Sequence, residues 1–257
     1  VEASGVFCNK EAFRALRGGE YQVSDESSAN VPRILLSDGM HLDVAHGTTT
    51  AAFEFNGGII VAVDSRASLG NLVGSRTTEK VLPVTGRILA TMAGGAADCS
   101  YWIRALSMRM RLWELEEGMP ASVHLAAHTL AADLRQRRGM GLSVGTMVIG
   151  YNPGGFPCIY YIDNSGACVK GKRFSIGSGS SYAISILDSN KDWDMTMDEA
   201  ADLAVRAIQR ATHRDAFSGG FINVFHIAPD EDWRQIRRID SARLPNPHSS
   251  LGTSSHA

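Results

Sequence analysis

Residues 45 to 55 read AHGTTTAAFEF, and the joint Gly47-Thr48 inside that run is where the chain could do chemistry. Three threonines in a row also suit a plain strand, since Thr is a strong strand former. If the Gly47–Thr48 bond is cut, however, Thr48 carries a free α-amine beside its own hydroxyl, a nucleophile and base in one residue. An α-amine titrates at about 8. At neutral pH a useful fraction can therefore take the hydroxyl proton, directly or through water. While the bond is intact the amine is an amide and the site is silent. Residues 1–47 then read as a leader removed on maturation, with Gly47 the small residue that lets the scissile carbonyl approach the hydroxyl.

Other reactive patterns are weaker. Gly141 to Gly145, GLSVG, satisfies G-x-S-x-G, but a nucleophile elbow needs strand, turn, then helix. The pattern here runs helix, turn, strand, so Ser143 is set aside as a hydrolase serine. His124 and His128 stand four apart, a metal-ligand spacing, yet HLAAH lacks the Glu of a zinc-protease helix and no third ligand is evident. No metal or organic cofactor is expected. Cys8, Cys99, Cys158 and Cys168 form no CxxC pair, which suits a reduced protein. The first residues, VEASGVFCNKEAF, lack the basic-then-apolar layout of a secretory signal. Cytosolic or nuclear residence is the expectation. No run approaches the roughly 20 apolar residues of a membrane helix. A net charge of −2 without a basic block argues against a nucleic-acid surface.

The elements that must position Thr48 follow from periodicity. Residues 1 to 46 are polar and irregular, and the tail 242–257 reads the same way, leaving one patterned unit over 48–241. Thr49 to Phe55 alternates, Asn56-Gly57 marks a hairpin, and GIIVAVD returns as a strand buried on both faces. RILATMAGG is a further strand. Trp102, Leu106, Met110 and Trp113 form one helical stripe; Val123, Ala127, Leu130 and Leu134 form another. GTMVIGY and CIYYID pair across Pro153-Gly154-Gly155. Thr196 and Glu199 form a capping box before a helix with a small face at Ala200, Ala204, Ala207 and Ala211. GFINVFHI and WRQIRRI close the pattern as strands. Hairpins in place of βαβ crossovers indicate an α+β fold, with helices covering the outside of two mainly antiparallel sheets.

Seven motifs in order, HGTTT, VAVDSRAS, TEKV, TMAGGAADCSYW, GMGLSVGTM, GSGSSYA and RDAFSGG, resemble those of proteasome beta subunits, which are N-terminal-nucleophile hydrolases. Within that family the chymotrypsin-like, fifth type is the most similar. The resemblance covers roughly Thr48 to Ile239 and implies the four-layer αββα sandwich of the Ntn-hydrolase fold. It makes Thr48 the nucleophile, backed by Asp64 and Lys80. Ser178, Asp215 and Ser218 become the hydrogen-bond set around the terminal amine, and Gly94 the oxyanion donor. Ala67, Ser68, Thr78, Met92 and Ala96 become substrate contacts. Small walls over a flexible Met suit bulky apolar side chains.

The implied activity is a threonine endopeptidase, self-activated between Gly47 and Thr48, cutting unfolded polypeptides after hydrophobic residues. The implied partners are other beta and alpha subunits in stacked heptameric rings, polypeptide substrates and active-site proteasome inhibitors, with Asp163 facing a neighbour's pocket. Three departures stand out: Thr78 where relatives often have Val, Ser68 for a Thr, and Phe156 as a one-residue insertion. A non-catalytic ring subunit is the alternative. Such members typically lack the Thr, the Lys or the processing Gly, whereas this chain keeps Gly47, Thr48, Asp64, Lys80, Ser178, Asp215 and Ser218.

Overall fold

The computed structural model describes residues 33–35, 41–43 and 47–245, apart from 70, 71, 191 and 230. The chain divides into two compact units, residues 1–44 and 45–257. In the first, β1 (Arg33–Leu35) and β2 (His41–Asp43) pair antiparallel with Ile34 opposite Leu42. Six residues read as irregular are thus extended, because three-residue strands are too short to show a period. The rest of the expected irregular leader lies outside the described residues, as does the tail beyond residue 245.

The second unit runs β3 (Thr50–Phe55), β4 (Gly58–Val63), β5 (Ala67–Leu69), β6 (Leu72–Ser75), β7 (Val81–Pro83), β8 (Ile88–Thr91) and β9 (Ala93–Gly94). Two helices follow, α1 (Ala96–Glu117) and α2 (Val123–Arg135). Then come β10 (Val144–Asn152), β11 (Phe156–Asp163), β12 (Cys168–Gly171), β13 (Arg173–Ile176), α3 (Ser180–Asn190), α4 (Met197–Arg214), β14 (Phe221–Ile227) and β15 (Arg234–Asp240). One sheet has the order β13-β3-β4-β14-β15, the other β12-β11-β10-β8-β7 with β9 also on β10. Every described pairing is antiparallel.

Three apolar layers hold these elements. Ala51, Phe53 and Phe55 of β3 and Ile60 and Ala62 of β4 pack under α3 and α4, against Ala200, Ala204, Ala207 and Ala211. Ala52, Ile59, Val61 and Val63 face the other way and meet Leu89, Met147, Ile149 and Ile159 of the second sheet. Beyond that sheet lie α1 and α2, whose Trp102, Leu106, Met110, Leu130 and Leu134 meet Ile88, Val148 and Ile162. The order is helix, sheet, sheet, helix, as expected. All six residues of β3 are buried, so its alternation does not separate core from solvent. Successive side chains point to opposite faces of a strand, and here both faces are covered.

Local signals work as the chemistry requires. The Thr196 hydroxyl accepts from Glu199 N while the Glu199 carboxylate accepts from Thr196 N, closing the capping box of α4. Such caps contribute about 1 kcal/mol. The β3–β4 hairpin turns through two residues, with positive φ falling on Gly58. The ends of these elements matter most for chemistry. Thr48 precedes β3, Asp64 follows β4, Lys80 precedes β7, and Ser178 lies between β13 and α3.

Candidate active site

Asp64 is fully buried, and four donors from four chain segments hold its carboxylate. Oδ1 accepts from Lys80 Nζ at 2.6 Å and Thr49 N at 2.9 Å; Oδ2 accepts from Gly219 N at 2.9 Å and Arg66 N at 3.2 Å. Lys80 is 4% exposed, and its Nζ also reaches the Gly47 carbonyl oxygen at 3.2 Å. Burial pushes the Lys80 ammonium below the usual lysine range; Asp64 and, more weakly, Asp215 oppose the shift, and Arg66 adds to it. Burial thus favours the neutral amine of Lys80 at hydrogen-bond distance from the Gly47 carbonyl.

Thr48 is buried, with its hydroxyl donating to Gly47 O at 2.7 Å and its backbone N–H donating to Ser178 Oγ at 3.3 Å. Ser178 donates to Asp215 Oδ2 at 2.6 Å, and Ser218 donates to the same oxygen at 2.6 Å. Asp215 caps the C-terminus of α4, so the helix end sets its position. Because the Ser218 proton goes to the carboxylate, the Thr49 hydroxyl is the donor in its 2.7 Å contact with Ser218 Oγ. A polar path thus runs from the Thr48 nitrogen through Ser178, Asp215 and Ser218 to Thr49. The structure brings Thr48, Asp64, Lys80, Ser178, Asp215 and Ser218 together, all of them buried except Ser178, which is exposed.

Two glycines give the site its closeness. A β-carbon on Gly47 would lie 1.7 Å from Phe217 Cβ and 2.6 Å from its Cα. A β-carbon on Gly177, whose φ is 101°, would lie 2.0 Å from Thr48 O. Sequence reasoning missed Gly177, Phe217 and Thr49. Thr49 is taken there for an ordinary strand residue, but it lies just before β3 and supplies both a backbone and a hydroxyl donor to the site. The repeated glycines of GSGS were the available signal for Gly177.

Gly94 ends β9 opposite Val144 of β10. Met92 N donates to Lys80 O at 2.8 Å, which ties the Met92 segment to the lysine. Met92 itself is buried in the layer under α1, while Ala96 opens that helix at the surface. Ala67 and Ser68 lie in β5, and Thr78 N donates to Ser65 O at 3.0 Å. A groove beside Gly94 is walled by Ser143, Val144, Asn164 and Ile176, and by none of these five residues. Ser143 immediately precedes β10 and follows the turn after α2, so the order is helix, turn, strand. Asp163 Oδ1 accepts from Ser165 N, Ser165 Oγ and Ala167 N, bonds that hold its own turn. His124 Nδ1 lies 3.1 Å from the Tyr160 hydroxyl, and the His124 and His128 ring centroids are 4.2 Å apart. Phe156 opens β11, 69% exposed, paired with Asn152 across the β10–β11 turn.

The family model described as "Proteasome subunit" matches residues 44–227. The chain is 50% identical over 203 residues to proteasome subunit beta type-5 of Dictyostelium discoideum, covering 79% of this chain and 74% of that protein. It is 48% identical over 206 residues to the beta type-5 subunit of Gallus gallus, with 80% of each chain covered. Against proteasome subunit beta type-8 of Homo sapiens identity is 43% over 205 residues, 80% of this chain and 74% of that one. With a buried threonine, lysine and aspartate gathered at the sheet ends and similarity across most of its length, this chain belongs to the proteasome subunit family.

Proposed function

We propose that the chain is a threonine endopeptidase subunit of a proteasome core, made as a precursor and activated by its own cleavage between Gly47 and Thr48. The observation that carries this reading is the Gly47 carbonyl, whose oxygen meets both Thr48 Oγ and Lys80 Nζ. Attack of Thr48 Oγ on the Gly47 carbonyl carbon breaks the Gly47–Thr48 amide and leaves an ester. That step frees the Thr48 amine, which takes the hydroxyl proton, and water then hydrolyses the ester to release the leader carboxylate and restore the Thr48 hydroxyl. In the mature subunit Lys80 and the amine handle the hydroxyl proton, Asp64 holds Lys80, and Ser178, Asp215 and Ser218 orient the amine. Gly94 N–H stabilises the oxyanion. Ala67, Ser68, Thr78, Met92 and Ala96 contact the acyl side of an unfolded polypeptide, favouring cleavage after bulky apolar residues.

The family places the chain among other proteasome subunits, and the further assignment is to heptameric beta rings between alpha rings, in cytoplasm and nucleus. No helix among the described residues is long and apolar enough to cross a membrane. On this reading residues 48–241 form the working domain and 242–257 a tail. The test is Thr48→Ala in the assembled particle. Intact mass should show residues 1–47 retained, and cleavage after hydrophobic residues should vanish from this subunit. A product beginning at residue 48 in the variant, with no other active subunit present, overturns self-cleavage.

A further inference from the structure

His124 and His128 share one face of α2, with ring centroids 4.2 Å apart and planes tilted by 53°. Both are exposed, while Tyr160 of β11 beneath them is 6% exposed. The Tyr160 centroid lies 6.0 Å from that of His124 and 5.9 Å from that of His128, edge-on to both. The endopeptidase reading uses none of these three residues.

The helix that carries the pair is fixed at its start. Ser122 caps α2 by accepting from Leu125 N at 3.0 Å, and Asn152 Oδ1 accepts from His124 N at 3.3 Å. Val123, Ala126, Ala127 and Leu130 bury a neighbouring face of the helix. The backbone under both imidazoles is therefore set before any ligand arrives. Residues four apart on a helix are surface neighbours, and two imidazoles at that spacing can close on one cation. A cation about 2.0–2.1 Å from one nitrogen of each would hold the ring centres roughly 4.5–5 Å apart. The observed 4.2 Å falls just short of that span, so side-chain rotation alone closes the chelate.

Tyr160 decides which nitrogen is available. Its hydroxyl oxygen lies 3.1 Å from His124 Nδ1. When that nitrogen donates to the hydroxyl, His124 Nε2 keeps the lone pair that a metal takes, as in most imidazole-bound metals. Among the described residues no third His, Cys, Asp or Glu joins the pair. Water then completes the coordination, which leaves the ion exchangeable. Imidazole suits Cu²⁺, Ni²⁺ and Zn²⁺, with Cu²⁺ bound tightest.

We propose that His124 and His128 form a two-imidazole surface site for a divalent transition ion, Cu²⁺ by preference, with Tyr160 as the positioning residue that sets the His124 tautomer. HLAAH lacks what a zinc-protease helix needs, yet a chelate completed by water needs no third protein ligand. The site shares no residue with the Thr48 constellation and does not depend on the endopeptidase reading.

The test titrates Cu²⁺ into the full-length chain, its accessible thiols first blocked with iodoacetamide, and follows binding by calorimetry and electron paramagnetic resonance. The unmodified chain should give a spectrum with two nitrogen ligands. His124→Gln and His128→Gln should each lose that spectrum and weaken binding by about a hundredfold or more, the upper range for losing even an outer partner of a ligand. Gln suits an exposed helix position, so both variants should keep the helix. Tyr160→Phe should keep both nitrogens in the spectrum while affinity falls about tenfold. A change in packing alone would not give that split. Zn²⁺ should compete for the same site more weakly than Cu²⁺. Copper held with unchanged affinity in both histidine variants sits elsewhere and overturns the site. Unchanged affinity in Tyr160→Phe overturns the role given to the tyrosine.

Discussion

Gly47 lies so close to Phe217 that a β-carbon on it would come within 1.7 Å of Phe217 Cβ and 2.7 Å of Phe217 O. Any other residue at the joint must push the Gly47 carbonyl away from Lys80. Gly47→Ala should slow leader removal by about a hundredfold, the cost of an ångström of misplacement in a positioned reaction. Phe217→Gly in the same chain should restore part of the rate, since it removes the nearest atom. Intact mass of the assembled particle over time measures both.

Lys80→Ala should reduce self-cleavage and peptide turnover by two to four orders of magnitude, roughly the range of a lost proton-transfer group. The pair is also structural, because Lys80 is 4% exposed and Asp64 fully buried. Breaking a buried pair costs about 3–5 kcal/mol. The backbone N–H groups of Thr49, Arg66 and Gly219 remain on Asp64 and should keep the loss near the lower end. Lys80→Met with Asp64→Asn should recover thermal stability but no activity.

Burial lowers the Lys80 pKa, and this fixes the direction of the pH dependence. Folding favours the neutral amine, so the unfolded chain binds more protons at this residue. Its contribution to stability therefore improves as pH rises through the folded-state pKa toward 10.5. Self-cleavage by the neutral lysine should rise with pH and level off below 10.5. Asp64→Asn removes the leading opposing charge and should move the midpoint of whatever rate remains to lower pH. Stopped-time mass spectrometry across a pH series reads both.

Ser218→Ala takes away the acceptor of the buried Thr49 hydroxyl and one of the donors to Asp215. A buried hydroxyl without a partner costs about 1–3 kcal/mol. Turnover should fall through kcat with KM unchanged, since Ser218 reaches the amine only through Asp215 and Ser178. Steady-state kinetics with a denaturant titration would show the split.

Much of the fold was legible because long elements carry strong periods. The stripe through Trp102, Leu106 and Met110 and the capping box at Thr196 both lie where the pattern puts them. Helix α3 was not separately legible: SSYAISILDSN buries only Ala183 and Leu187 fully, too few for a clear stripe. The short strands β5 and β9 have no period to show. At the site, sequence resemblance could name Asp64 and Lys80, but nothing in TEKV reveals that the lysine, sixteen residues past Asp64, is buried against the carbonyl of Gly47. Phe217 was invisible for a different reason: its role is to leave no room, and an excluded volume has no sequence signature.

The carboxylate of Asp64 is a four-way junction, joined to Thr49, to the turn after β4 at Arg66, to the lysine segment and to the loop following α4. Such a junction cannot be completed piecemeal. A chain in which any one of those segments is undocked has neither an oriented lysine nor a fixed Thr48, and so cannot unseal itself. If the subunit activates itself as proposed, docking of these segments must come before maturation.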